Sequence, residues 1–369
     1  MQERLLAEKL IGYDTSTSEG VQLCAGFIKG WLEARDIPTS TFEVRGLPIV
    51  VAEVGPKQGK VVVIHGHIDV VPGHEGQFSA AVEGDRLIGR GAYDMKGAAA
   101  AMMLALADLR DQDDVRVRLA LVPDEETEEE FDRGSDVLVD QGLGGDFAIT
   151  GEPTDMLIGV AAKGVLAVRI LVSGRAAHGS TPWEGDNAIT KAFSIFRGIE
   201  SLPFARQSSE LFDRPSINLG RIIGGDALNK VPDSCAIDVD IRYLPEQDPE
   251  AILAEIAAFP DAEVVSTFRR PPVEVDKDSP FVRALGTAAQ PHHSGDVTSI
   301  GRDGASDAVS FIRTGTPAVE FGPVGGGHHG PDEWVSISSL AAYRRTICDF
   351  AARLPAAMNG EVPVAGGEA

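Results

Sequence analysis

The chain has 369 residues, 43% of them hydrophobic, and 56 acidic against 33 basic residues give a formal net charge of −23 at pH 7. That length and apolar content suit one large or two ordinary domains, each with a substantial core. The negative balance argues against nucleic acid and anionic membrane surfaces as partners, since both are bound through Lys and Arg, and any acidic substrate would need a local basic group.

The opening stretch MQERLLAEKLIGYD is charged at once and lacks the apolar core and small-residue cleavage site of a signal peptide. No run is long and apolar enough to span a membrane. The three cysteines, Cys24, Cys235 and Cys348, are scattered, odd in number and unpaired in spacing, which predicts buried reduced thiols and a cytoplasmic protein. Residues 1 to 36 read as a helix, PIVVAEVG and KVVVIHGHIDVV as strands, and DMKGAAAAMMLALADL from Asp94 as a helix apolar nearly all round. VRVRLALV is a strand, residues 132 to 141 are helical, and DFAIT is a strand. This alternation predicts an α/β fold with a mostly parallel central sheet covered by helices on both faces.

The pattern then changes. GVLAVRILVSG, GDNAITKAFSIFRGIESL, SINLGRII, CAIDVDIRYL, DPEAILAEIAAF and AEVVSTF read in the order βαββαβ, the signature of a ferredoxin-like unit that can be inserted whole into another domain. Asp248 as N-cap and Pro249 at the first helical position support the second of its helices. After it come a helix over 280 to 289, the segment GRDGASDAVSFI, the strand TPAVEFG, a Gly-rich loop and a last helix over about 336 to 353. These predict a discontinuous first domain (1–162 and 274–358), an inserted domain (163–273) and a disordered tail (359–369).

Five segments place metal-type side chains just after predicted strands or at a helix mouth, and open α/β sheets hold their ligands at the carboxyl ends of the strands. In HGHIDVVP, His67 and Asp69 are two apart and face the same way on an extended chain, so the Asp can accept the second ring N–H of the His. His65 and His74 read as satisfied or solvated histidines. Asp94 in GRGAYDMKG, taken singly, reads as an N-cap. PDEETEEE follows VRVRLALV with Glu125 and Glu126 first, Glu152 follows DFAIT, and GGGHHGPDEW carries a histidine pair. There is no HExxH, so a zinc hydrolase here must draw its ligands from distant segments. One His, three carboxylates and another His suit two divalent ions sharing a bridging Asp, about 3.5 to 4 Å apart. Hydrolysis further needs a carboxylate that is not a ligand, to take a proton from water.

HGHIDVVP, GRGAYDMKG, PDEE, GEPT, AAHGSTP and GHHGPDEW, in this order, resemble the zinc aminoacylase and peptidase family, which includes acetylornithine deacetylase, succinyl-diaminopimelate desuccinylase, aminoacylase and carboxypeptidase G. The resemblance spans nearly the whole chain and implies a dizinc exopeptidase-like fold, with 1–162 and 274–358 as the catalytic metal-binding domain and the ferredoxin-like insert 163–273 as a lid or dimerisation domain. It implies that His67, Asp94 and Glu152 hold one Zn2+ and Asp94, Glu126 and His329 the other, with Asp69 orienting His67 and Glu125 as general base. His329 rather than His328 matches the family's ligand. The resemblance further implies that His178 steadies an oxyanion, often across to a partner subunit's site, and that Arg242 and Asn229 bind the substrate's carboxylate and backbone. Where the family has Asn-Val-Ile-Pro this chain has Asn229-Lys230-Val231-Pro232, a departure that bears on substrate identity. Ser306 and Asp307 match a pocket-lining segment, Asp124 has no motif role, and Glu128 to Glu130 read as a solvated charge run. The implied protein is a homodimeric amidohydrolase, loaded with two Zn2+ per subunit or with Co2+ or Mn2+ in their place. Its expected reaction is cleavage of the amide bond of an N-acyl amino acid; the alternative is a dipeptidase or carboxypeptidase of the same family.

Overall fold

The computed structural model describes residues 1–126 and 133–358, so the acidic run Glu128 to Glu130 and the tail 359–369, expected to be solvated and disordered, lie outside the described residues. The chain divides into two compact units: Met1–Val160, Val275–Ile300 and the described residues from Asp307 form the first, and Ala161–Glu274 with Gly301–Ser306 the second. The sequence reading left 301 to 306 outside the insert. They join the second unit because the Lys163 N–H donates to the Arg302 carbonyl at 3.1 Å and Lys163 Nζ pairs with Asp303 at 2.7 Å.

The single helix expected over residues 1 to 36 is two, α1 (Gln2–Ile11) and α2 (Ser18–Glu33). Thr17 starts the second as N-cap, its hydroxyl accepting the Gly20 N–H at 3.1 Å. Gly20 is required there, because a Cβ would fall 1.7 Å from the Asp14 carbonyl oxygen. Next come β1 (Thr39–Val44), a half-polar strand that sequence reading passed over, β2 (Leu47–Val54), β3 (Val61–His67), and the short β4 (Ala81–Glu83) and β5 (Arg86–Ile88). Then follow α3 (Gly97–Asp108), β6 (Arg116–Val122), α4 (Gly134–Asp140), β7 (Phe147–Thr150) and β8 (Ile158–Ala162).

In the second unit β9 (Gly164–Ser173), α5 (Ala188–Ile199), β10 (Ser216–Gly224), β11 (Ser234–Tyr243), α6 (Pro249–Ala257) and β12 (Ala262–Arg270) make an antiparallel sheet in the order β10-β11-β9-β12. This is the ferredoxin-like arrangement. Its strands alternate inward and outward residues, and Ile170, Val172, Ile237 and Val239 pack with Ile195, Ile199 and Ile256 of the two helices in one core. Asp248 caps α6 by accepting the Glu250 N–H at 2.9 Å. The two-residue β13 (Val273–Glu274) pairs with Ala161 and Ala162.

The chain then adds α7 (Pro280–Ala289), β14 (Ser299–Arg302), α8 (Ala308–Arg313), β15 (Ala318–Glu320), β16 (Gly325–Gly326), β17 (Trp334–Ser336) and α9 (Ile337–Met358), the last running five residues past its expected end. The main sheet of the first unit has the order β1-β2-β6-β3-β7-β15-β8. Its centre, β6-β3-β7-β15, is parallel and its flanks are antiparallel. Consecutive buried residues along β3, β6 and β7 mean that both faces of this centre are covered, and α3 is buried from Gly97 to Leu106. Among the described residues no helix is long and apolar enough to cross a membrane.

Candidate metal centre

Three adjacent parallel strands end in acid or histidine. His67 is the last residue of β3, Glu125 and Glu126 follow β6, and Glu152 follows β7. Parallel neighbours deliver these side chains to one edge of the sheet, where ligands of such folds collect. Asp94 arrives differently. It is not the N-cap that its residue type suggests: its φ of −121° and ψ of 96° are extended, the Asp94–Met95 peptide is cis, and α3 begins only at Gly97. The irregular turn aims the carboxylate at the strand ends instead of at the helix's own N–H groups.

The fifth segment contributes both histidines. His67 Nε2 lies 2.9 Å from Asp94 Oδ1 and 3.9 Å from Glu152 Oε1. His329 Nε2 lies 2.9 Å from Glu126 Oε1 and 3.3 Å from Asp94 Oδ2, and His328 Nε2 hydrogen-bonds the same Asp94 oxygen. One Asp94 oxygen therefore faces His67 and the other the histidine pair. His329 is the ligand expected from the sequence; His328 also reaches Asp94, while His329 meets both Asp94 and Glu126. Three groups, Asp94/His328/His329, His67/Asp94/Glu152 and His67/Glu125/Glu126, each offer one atom per residue within 4.8 Å of the others.

The electrostatics of this cluster fit cations. Burial pushes the Glu152 carboxyl well above its ordinary range, and the Asp94 charge adds to the rise. Glu125 is driven by burial up to about 8, with Asp307 adding to the rise and His67 and Arg133 opposing it. Burial works against ionisation of Asp94 too, but hydrogen bonds from His328, His329 and His67 hold it well below the usual carboxylate range. His67, despite burial, is raised well above its usual value by Asp69 and Asp94, and hydrogen bonds to Asp94 and Glu126 raise His329 to about 10. Carboxylates crowded out of water in this way must take up protons or a compensating charge. A mixed imidazole and carboxylate set is the donor chemistry that zinc, cobalt and manganese accept.

Asp69 joins two segments. Its Oδ1 accepts the Glu125 N–H at 3.1 Å and its Oδ2 the Glu126 N–H at 2.8 Å, while His67 Nδ1 lies 3.4 Å from Oδ1. The nearer partner of that ring nitrogen is the Asp69 main-chain oxygen, at 3.0 Å, rather than the carboxylate expected from sequence. Glu125 also has a cation: Arg133 Nη1 sits 3.0 Å from its Oε1 and 3.4 Å from Asp307 Oδ1. Asp124 accepts the Gly134 N–H at 2.9 Å and pairs with Arg45 at 2.9 Å, anchoring the start of α4. Burial raises the Asp124 carboxyl to about 6 against the pull of Gly134.

His65 corrects an expectation. It is 1% exposed, neither ring nitrogen has a hydrogen-bond partner among the described residues, and burial lowers it to about 4, so it is neither satisfied nor solvated. Its ring meets Phe311 edge-on with centroids 5.1 Å apart, and Nε2 lies 4.0 Å from Asp307 Oδ2. His74 is exposed, as read. Arg90, Arg133 and Glu333 were missed. Arg90 and Glu333 stand inside the segments GRGAYDMKG and GGGHHGPDEW, which was the one signal available.

His178, Asn229 and Arg242 belong to the second unit. There His178 and Lys230 form an isolated bridge, and the Gly179 N–H donates to the Asn229 carbonyl at 2.7 Å, so His178 and Asn229 share one exposed loop surface. Exposed His178 shares its Nδ1 with Ser180 Oγ at 2.7 Å. Arg242, half-buried on β11, pairs with Asp240 at 3.0 Å. Ser306 and Asp307 are both buried.

The sequence pattern of peptidase family M20/M25/M40 matches residues 63–353. A probable succinyl-diaminopimelate desuccinylase of Staphylococcus epidermidis is 25% identical over 389 aligned positions, covering 92% of this chain and 94% of its own. Among solved structures, aminopeptidase PepT of Bacillus cereus superposes with a TM-score of 0.78 at 19% identity, covering 95% of this chain and 99% of its own. A Bacillus subtilis protein described as a dinuclear metal binding peptidase from the M20 family gives 0.65 at 19% identity, covering 95% and 98%. At such identities the structural likenesses establish the fold, and the pattern, which takes in every proposed ligand from His67 to His329, establishes descent: the chain belongs to peptidase family M20/M25/M40, hydrolases of amide and peptide bonds.

Proposed function

We propose that this protein is a dizinc-dependent hydrolase that cleaves the amide bond of an N-acyl amino acid, in the manner of acetylornithine deacetylase and succinyl-diaminopimelate desuccinylase. The observation that carries the reading is the division of labour after β6: Glu126 faces His329, whereas its neighbour Glu125 faces Arg133. This difference supports the reading of Glu126 as a ligand and Glu125 as the group that handles a proton. His67, Asp94 and Glu152 would hold one ion and Asp94, Glu126 and His329 the other. When bound, the two ions supply Lewis acidity and lower the pKa of water to about 7.

The chain's own residues do the rest. Glu125 takes a proton from water as the oxygen adds to the acyl carbon, and returns it to the nitrogen as the C–N bond breaks, leaving a carboxylic acid and a free amino acid. Asp69 holds both Glu125 and Glu126 by their main-chain N–H groups. In the second unit, His178 would steady the oxyanion and Asn229 and Arg242 would bind the backbone and carboxylate, the planar guanidinium matching a carboxylate with two bonds. The desuccinylase among the relatives supports an acyl substrate. The proposed setting is a cytoplasmic homodimer.

Replacing Glu125 with Ala is expected to leave metal content intact and to cut turnover by about 100- to 10,000-fold, the usual contribution of a general base. Near-normal turnover would rule out Glu125 as the base. A substrate panel of acetyl-ornithine, succinyl-diaminopimelate, acyl-lysine and simple dipeptides decides the class: a larger kcat/KM on the dipeptides would replace the deacylase reading with a dipeptidase.

A further inference from the structure

Arg90 and Glu333 form an ion pair from which water is excluded: Nη1 lies 2.8 Å from Oε2, and the side chains are 4% and 1% exposed. Each partner also grips a segment that carries a proposed ligand. The Glu333 carboxylate accepts the main-chain N–H groups of Gly91, Tyr93 and Asp94, each at 3.0 Å. Arg90 Nη2 donates to the main-chain oxygen of His329 at 3.0 Å. The Asp94 turn and the His329 loop are therefore bolted together through one pair of side chains, 243 residues apart in sequence.

Neither segment holds its shape by regular secondary structure. The Asp94 turn is extended just where α3 might have begun, and His329 has a φ of +57°, a left-handed conformation that costs a non-glycine residue about 1 to 3 kcal/mol unless its surroundings impose it. Gln77, buried under the same loop, adds hydrogen bonds from its Nε2 to the Gly330 and Pro331 carbonyls, both 3.1 Å. Bonds to main-chain atoms fix where a Cα sits, and so where its side chain can reach.

We propose that the Arg90–Glu333 pair is a positioning device that sets the separation of Asp94 and His329 and through it the affinity of the second cation site. The proposal rests on the two-metal reading. Neither residue touches substrate or the proposed ions; both act through the ligands they hold. Groups that orient metal ligands typically change metal affinity or activity about 10- to 100-fold when removed.

Titration of the metal-free, full-length protein with Co2+, followed by visible absorption and equilibrium dialysis, tests this. Wild type is expected to take up two equivalents. Glu333→Gln keeps the side chain's shape but turns an NH2 group toward N–H donors, and is expected to weaken the second equivalent about 10- to 100-fold while the first, which retains His67 and Glu152, changes at least tenfold less. Arg90→Lys keeps the charge and loses the fork, and should give an intermediate loss with an unchanged Tm for the metal-free protein. Wild-type affinity at both sites in both variants would overturn the proposal, as would equal weakening of both sites in step with a lowered Tm, which marks a general structural role. Uptake of fewer than two equivalents by wild type would overturn the two-metal reading itself, and the proposal with it.

Discussion

Asp69→Asn isolates what one carboxylate contributes to the centre. Both oxygens of Asp69 are engaged, accepting the Glu125 N–H at 3.1 Å and the Glu126 N–H at 2.8 Å in a side chain that is nearly out of water. The amide that replaces it has one acceptor oxygen. Whichever way it turns, one of the two main-chain donors loses its partner and meets an NH2 group. Hydrogen bonds to a charged group are worth about 1.5 to 3 kcal/mol, and a buried donor left unpaired costs a similar amount. The loss can surface in two places. If the loop stays put, the metal-free protein loses that stability; if it shifts to relieve the clash, Glu125 and Glu126 move with it, and metal affinity and kcat fall about 10- to 100-fold. Thermal unfolding of the metal-free protein, metal titration and kcat/KM on the best substrate of the acyl panel measure both. Twofold agreement with wild type in affinity and kcat/KM, together with an unchanged Tm, would refute the role given to Asp69.

Arg133 should act through Glu125: Arg133→Ala is expected to lower kcat about tenfold with KM and metal content unchanged, Arg133→Lys to recover part of it, and the same change in a Glu125→Asp background to add little, so additive losses in the double-mutant cycle would reject the coupling. Asp307→Asn should mimic a weakened Arg133, since the two lie 3.4 Å apart. Where α9 meets α1 and the end of α3, Arg344 binds Glu3 at 2.8 Å and Asp108 at 2.6 Å, and main-chain and Arg344 hydrogen bonds outweigh burial to bring the Glu3 carboxyl down to about 2. A lowered folded-state pKa stabilises above the ordinary 4.5 and is lost as pH falls toward 2, so Arg344→Ala should cost about 1 to 2 kcal/mol at pH 7 after allowance for solvent screening, and less in urea melts at pH 3. An undiminished difference at pH 3 would contradict this. Light scattering is expected to show a dimer, formed through the exposed edge strand β10, where Ile223 is 60% exposed; a fully active monomer would count against the dimer and against a cross-subunit role for His178.

The strand-end candidates were legible because the cause lies in local sequence. A buried parallel strand writes itself as an apolar run, and His67, Glu125, Glu126 and Glu152 stand where such runs stop. The βαββαβ order of the second unit was legible for the same reason. What escaped was fixed by partners far away in the chain. Asp94 at the head of an Ala-rich helix looks like a cap to any local rule, so the family resemblance alone brought it to the site; the turn that carries it depends on Glu333, 239 residues on, which accepts its N–H. Arg133 lies beyond an acidic run, and its role depends on Asp307, 174 residues later. The break between α1 and α2 turned on one close approach of Gly20 to Asp14, which helical spacing does not register. β1 went unread because its residues are half polar, as an edge strand's are. The division follows the physics: side chains that bind are set by the elements carrying them, and so appear as motifs, whereas side chains that aim those binders work through main-chain hydrogen bonds that leave no spacing behind. The mutations that separate metal affinity from fold should therefore be found at Arg90 and Glu333, and those that separate turnover from metal binding at Arg133, rather than among the proposed ligands.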